Sequence, residues 1–155
     1  MNTLQPTIPL TAEFYQQLKT KLAQLTKERA EVMKRLQAAR EMGDLSENGA
    51  YKYAKFELGS IGRQLQQLRF LLEHGRVVEK PVNPSAVSFG CVVTVATPQK
   101  TLTYQLVSQY ESNPKEGKLS MESPIGAALM GKKVGDSVTV EIPTGSVQYT
   151  VTRIS

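Results

Sequence analysis

Two runs of apolar residues, each stepping alternately by threes and fours, confine the first half of this 155-residue chain to one kind of structure. The first is Leu18, Leu22, Leu25, Val32, Leu36, Ala39, with Arg29 at the one interrupted place. The second is Tyr51, Ala54, Leu58, Ile61, Leu65, Leu68, Leu72. Apolar side chains repeating every three and a half residues make a narrow seam, that of a coiled coil rather than the broader stripe of a globular helix. Thr11 is placed to cap the first helix, Glu13 lies in its first turn, and Gly43 stands where a helix ends in a left-handed residue. The first helix is therefore expected over 11–42. The second should start near Asp44 to Ser46 and end at "EHGR", with His74 in its last turn and Gly75 as the stop. A joining segment of a few residues makes the two helices antiparallel neighbours. About thirty residues at about 1.5 Å each give a finger roughly 45 Å long, with Met42 to Asn48 at its tip. Gly59 and Gly62 fall inside the second helix, each costing up to about 1 kcal/mol relative to alanine; close helix packing or a mild bend is the expected reason.

The periodicity changes after "PVNPSAVSFG", whose two prolines cannot continue a helix, and this marks a boundary between residues 1–80 and 81–155. Beyond it "CVVTVAT", "TLTYQLVSQY", "KLSM", "DSVTVEI" and "SVQYTVTRI" read as β-strands, the last two joined by the turn "PTG". "SPIGAALMG" reads as one short helix, with Ser123 as N-cap, Pro124 at the first helical position and Gly131 at the end. The fold class is α+β: an N-terminal antiparallel coiled-coil hairpin, then a small sheet of about five strands with one short helix.

Composition excludes several functions. A single cysteine, Cys91, permits no intrachain disulfide and no Cys-rich zinc site, and the one histidine, His74, cannot build a His-based metal site. Cys91 reads as a buried strand residue. This ligand-poor chain fits a reducing, cytoplasmic setting. No apolar run approaches the roughly 18 residues of a membrane span, and "MNTLQPTIPLT" lacks the order of a secretory signal. The net charge is +5, with 13 Lys/Arg against 9 Asp/Glu in residues 1–80 and 6 against 5 thereafter. That excess favours polyanionic partners and is equally compatible with a soluble surface.

Asp44 and Glu47 stand three apart, after a glycine and before a helix. Read from spacing, they form a capping box, Asp44 at the N-cap and Glu47 at N3. Read from position, they are two carboxylates offered at the end of a narrow finger. Such a pair suits Mg2+, which takes one or two protein carboxylates and keeps several waters, and the site would need completing by a partner. The two readings are compatible, because a cap uses one carboxylate oxygen of two.

"AAREMGDLSENGAYKYAK" resembles the tip motif of the bacterial Gre transcript-cleavage factors, and "SPIGAALMGKKVGDSVTVEIPTG" resembles the signature of their C-terminal domain. The likeness runs over nearly the whole chain in the family's order. It departs after Asn48, where Gly49 and Ala50 stand in place of the family's usual small residue and acid. The resemblance implies an FKBP-like C-terminal domain that binds RNA polymerase and a coiled coil that enters the polymerase's secondary channel. It implies that Asp44 and Glu47 help hold a catalytic Mg2+, so that the polymerase's own active site hydrolyses backtracked RNA. The factor is then an accessory, expected as a monomer, and not a nuclease by itself. Lys52, Lys55 and Arg63 lie within about 80° of one another around the second helix at 100° per residue. They suit phosphate contacts with the displaced RNA 3′ segment, or equally a solvated outer face. Arg29 pairs across the hairpin or sets its register. The resemblance places Glu122, Ser123, Pro124 and Ile125 at the polymerase. The alternative function keeps the partner: a secondary-channel regulator that inhibits or modulates without efficient cleavage.

Overall fold

The computed structural model describes residues 7–43 and 47–155. They form two compact units, one running from Tyr15 to Gly75, the other joining Thr7–Phe14 to Arg76–Ser155.

The first unit is a helical hairpin. Helix α1 spans Ala12–Arg40 and α2 spans Gly49–His74, antiparallel to it. Their facing seams bury Leu18, Leu25, Val32, Leu36 and Ala39 against Ala54, Ile61, Leu65, Leu68 and Leu71. Each fully buried leucine or isoleucine contributes roughly 1.5–3 kcal/mol, so the seam outweighs any propensity term in either helix. Leu22, Tyr51 and Leu58 are half-buried. At the far end Leu71, not Leu72, is the buried residue, because a helix of 3.6 residues per turn drifts from a strict 3.5 repeat. Arg29 is exposed, and among the described residues an ion pair joins the two helices from Arg35 to Glu57 at 2.6 Å.

The helix ends refine the expectations. Thr11 caps α1 as expected, its Oγ1 accepting from Phe14 N at 3.2 Å. Gly43 has φ +110°, outside the comfortable range of residues with a Cβ. Helix α2 begins later than the sequence suggested: its N-cap is Asn48, whose side chain accepts from Tyr51 N. The Asp44/Glu47 capping box is therefore not how α2 begins, since Glu47 precedes the cap instead of standing at N3. Gly75 ends α2 in an extended conformation, its N–H donating to Leu71 O. Neither interior glycine serves close packing. A Cβ on Gly62 would meet nothing within 4 Å, and one on Gly59 would meet only the Arg63 guanidinium.

In the second unit β1 (Ile8–Leu10) pairs with β2 (Gly75–Val77), a ribbon too short for alternation to announce it. The main sheet comprises β3 (Val92–Ala96), β4 (Thr101–Val107), β5 (Lys118–Ser120), β6 (Ser137–Ile142) and β7 (Gly145–Ile154). Their order is β5-β4-β3-β7-β6, antiparallel except for the β4–β5 pair. On β3 the alternation is clean: Val93 and Val95 are fully buried, while Thr94 turns outward opposite Thr103. Leu106, Leu129, Val140, Tyr149 and Val151 complete the core, together with Cys91, a free buried thiol one residue ahead of β3 instead of within it.

Helix α3 (Pro124–Leu129) closes this core. Ser123 caps it as expected, and Gly131 follows at φ +78°. Gly126 is where α3 meets β5: a Cβ there would lie 2.0 Å from Ser120 O, so no other residue fits without movement. The buried Glu111 accepts from Thr11 Oγ1 at 2.5 Å, with Lys118 Nζ 3.9 Å away, fixing the N-terminal segment to this unit.

Candidate functional site

The end of the hairpin is organised by Asn48. Its Oδ1 accepts from Tyr51 N at 3.1 Å, satisfying one of the donors a helix N-terminus leaves free. Its Nδ2 donates at 2.8 Å to Ala39 O in the last turn of α1, a carbonyl that also accepts from Met42 N at 3.2 Å. One amide thus serves both helices, which a carboxylate, having no donor, cannot do. Sequence reasoning passed over Asn48 because Asp44 and Glu47 offered a more familiar capping pattern, although asparagine ranks with aspartate as an N-cap.

Tyr51 follows in the first turn of α2. The Arg40 guanidinium lies 5.8 Å and Lys55 Nζ 5.6 Å from its ring centroid. Hydrogen bonding to Arg40 is the main cause that holds the Tyr51 phenol below its usual range, against a smaller opposing effect of burial, with Lys55 adding to the depression. Two cations on one ring, from both helices, make the base of the tip electropositive.

Glu47 is exposed immediately ahead of the cap, and Asp44 lies outside the described residues. Lys52, Lys55 and Arg63 are all exposed, and none has a described carboxylate within ion-pair distance. Among the described residues no three His, Cys, Asp or Glu side chains come together as a metal site.

The Glu122–Ile125 segment divides by role. Ser123 is occupied within the fold, its Oγ accepting from Gly126 N at 3.1 Å and donating to Ser120 O at 2.6 Å. Ile125 packs against the core, whereas Glu122 and Pro124 are exposed beside it.

The described residues thus form two long antiparallel helices followed by a mixed sheet with one short helix. Residues 8–77 match the N-terminal domain of a family of transcription elongation factors, and residues 82–155 match the GreA/GreB C-terminal domain. The chain belongs to the GreA/GreB family of transcription elongation factors, which are accessory factors of RNA polymerase and not enzymes in themselves. It is 39% identical over 146 residues to the transcription elongation factor GreA of Macrococcus caseolyticus, covering 92% of each chain. It is 42% identical over 149 residues to GreA of Amoebophilus asiaticus, covering 94% of this chain and 95% of that one. Among solved structures, the GreA factor homolog 1 protein of Thermus thermophilus is 27% identical, with 96% and 99% of the two chains covered and a TM-score of 0.46. No described helix is long and apolar enough to cross a membrane.

Proposed function

We propose that this chain binds bacterial RNA polymerase and stimulates cleavage of backtracked transcripts in the polymerase's own active site. In this reading Glu122, Ser123, Pro124 and Ile125 form part of the docking surface, and the hairpin enters the secondary channel. Given Ser123's bonds within the fold, Glu122 and Pro124 are the members free to touch a partner directly.

The observation that carries the reading is the division of labour at the tip. Asn48 does the capping, so Glu47 is an exposed carboxylate whose oxygens are not consumed by α2. Two carboxylates, Asp44 and Glu47, make a hard-oxygen donor set suited to Mg2+ but too few to hold it tightly alone. They would complete a site whose other ligands belong to the polymerase. Bound there, magnesium supplies charge neutralisation at the scissile phosphate and a more acidic water. The work of the chain itself is positional: the seam stiffens the finger, and Asn48 joins its two helices immediately after the exposed Glu47. Lys52, Lys55 and Arg63 hold phosphates of the displaced RNA 3′ segment, contacts that are salt-sensitive and indifferent to sequence.

The test is incubation of backtracked elongation complexes and magnesium with the protein or with its Asp44→Asn/Glu47→Gln form. Shortened RNA with the unaltered protein alone supports the reading. Binding without shortening by either form would replace it with a channel regulator that lacks efficient cleavage, and no binding would reject both.

A further inference from the structure

The two edges of the main sheet are finished differently. At one, the chain closes the outer side of β5 itself: Lys118 N donates to Asn113 O at 3.0 Å, and Asn113 N donates to Lys118 O at 2.9 Å. At the other, β6 is bonded to β7 alone. Ile142 faces Gly145 across a two-residue turn, so Ile142, Val140 and Val138 direct their backbone groups at β7, while Ser137, Thr139 and Glu141 direct theirs away. These three residues are exposed, and among the described residues their N–H and C=O groups have no partner. Sheet edges are ordinarily guarded by short length, lysine, proline or a bulge. Strand β6 has six residues, no lysine or proline, and an unbroken register with β7.

We propose that β6 is a self-association edge, two copies of the chain pairing β6 to β6 antiparallel about a two-fold axis at Thr139 and so joining their sheets. The alternation of backbone groups fixes the axis. At Thr139 it sets Ser137 opposite Glu141 of the second copy, and all three outward residues bond. Moved to Val140, it would set Ser137 against Pro143, which has no N–H; moved to Val138, it would set Glu141 against Gly135, whose N–H is already given to Val151 O. The side chains agree with the same register. Thr139 meets its own copy, Glu141, the one charge on β6, meets a hydroxyl instead of a second carboxylate, and on the inner face Val138 meets Val140. An unrelated strand could share the backbone bonds but not this matching, which is what an isologous contact requires. The expected monomer thereby becomes one end of a concentration-dependent equilibrium, independent of what the chain does at the polymerase.

The test is sedimentation velocity of the full chain over rising concentration. The set is the unaltered protein, Thr139→Pro, Ser137→Glu and Ser137→Lys, with the fold checked by circular dichroism. The unaltered protein should pass from monomer to dimer. Thr139→Pro removes an N–H that only the dimer uses and should stay monomeric. Ser137→Glu places two like-charge pairs in each dimer and should weaken it about five-fold or more, whereas Ser137→Lys places two opposite-charge pairs there and should preserve or tighten it. If Thr139→Pro does not fold, the opposed responses at Ser137 decide. A monomer at every concentration up to the solubility limit overturns the proposal. So does a dimer that Ser137→Glu leaves unchanged, which would place the contact elsewhere, and so does equal weakening by Ser137→Glu and Ser137→Lys, which would deny this register.

Discussion

Asn48 Nδ2 donates to Ala39 O at 2.8 Å while Asn48 Oδ1 accepts from Tyr51 N, so a single side chain joins the end of one helix to the start of the next. The hairpin's closing geometry depends on an amide and not on a carboxylate.

Asn48→Asp keeps the cap acceptor, removes the donor and faces a carboxylate oxygen toward the Ala39 carbonyl. It should destabilise the hairpin by about 1 kcal/mol, and Asn48→Ala, losing both bonds, by about 1–2 kcal/mol. Chemical denaturation followed by circular dichroism measures both; an Asn48→Asp protein as stable as the parent would refute the bridging role.

The glycines of α2 and α3 should respond in opposite directions. Gly62→Ala, at a helical position where an added Cβ meets nothing within 4 Å, should stabilise the hairpin by about 0.5–1 kcal/mol. Gly126→Ala, whose Cβ would lie 2.0 Å from Ser120 O, should cost about 1–3 kcal/mol or prevent native packing of α3. Paired thermal melts test the contrast, and a destabilised Gly62→Ala would show that α2 needs that flexibility.

The Arg35–Glu57 pair sets a pH dependence with a definite sign. Its hydrogen bond to Arg35 holds the Glu57 carboxyl below the ordinary glutamate range, against a smaller opposing effect of burial and with help from Tyr53. Because the folded value is depressed, the pair's stabilisation is present above the unfolded glutamate range and is lost as pH falls through the folded value. Arg35→Met should reduce stability at neutral pH and low salt, and the difference from the parent should vanish in acid. A difference unchanged into acid would show that Arg35 acts by packing alone. The effect should shrink with added salt, as for any exposed pair.

Tyr51 should ionise at lower pH than an ordinary tyrosine, chiefly because of Arg40 and secondarily Lys55. Ultraviolet titration of the parent and a Tyr51→Phe protein isolates its signal, and Arg40→Gln should move that signal upward. Stability contributed by the phenolate would appear only as pH rises through this lowered value, so neutral stability does not depend on it. An Arg40→Gln protein with an unmoved titration would place the guanidinium elsewhere in solution.

Much of the scaffold was legible because the signals were local. The threes and fours from Leu18 and Tyr51 marked both helices, the β-branched runs marked all five strands of the main sheet, and "SP" marked the start of α3. The candidate site was less legible. Glu47, Lys52, Lys55 and Arg63 are exposed, a state that the metal- and RNA-binding roles share with an ordinary solvated surface. The capping box failed because Asp44 and Glu47 were judged on spacing within one helix, whereas Asn48 also bonds a carbonyl of the other.

That difference is general to this chain. Apolar period, proline and glycine positions and cap-forming residues act through neighbours within a turn or two, so the sequence by itself determined a helical hairpin followed by a small sheet with one helix. Tertiary structure decided the pairing of β1 with β2, the parallel placement of β5 beside β4, the close seat of Gly126 on Ser120, and the choice of Asn48 as cap. Each depends on groups distant in sequence being brought within hydrogen-bond or van der Waals reach, and no local pattern records which distant group will arrive.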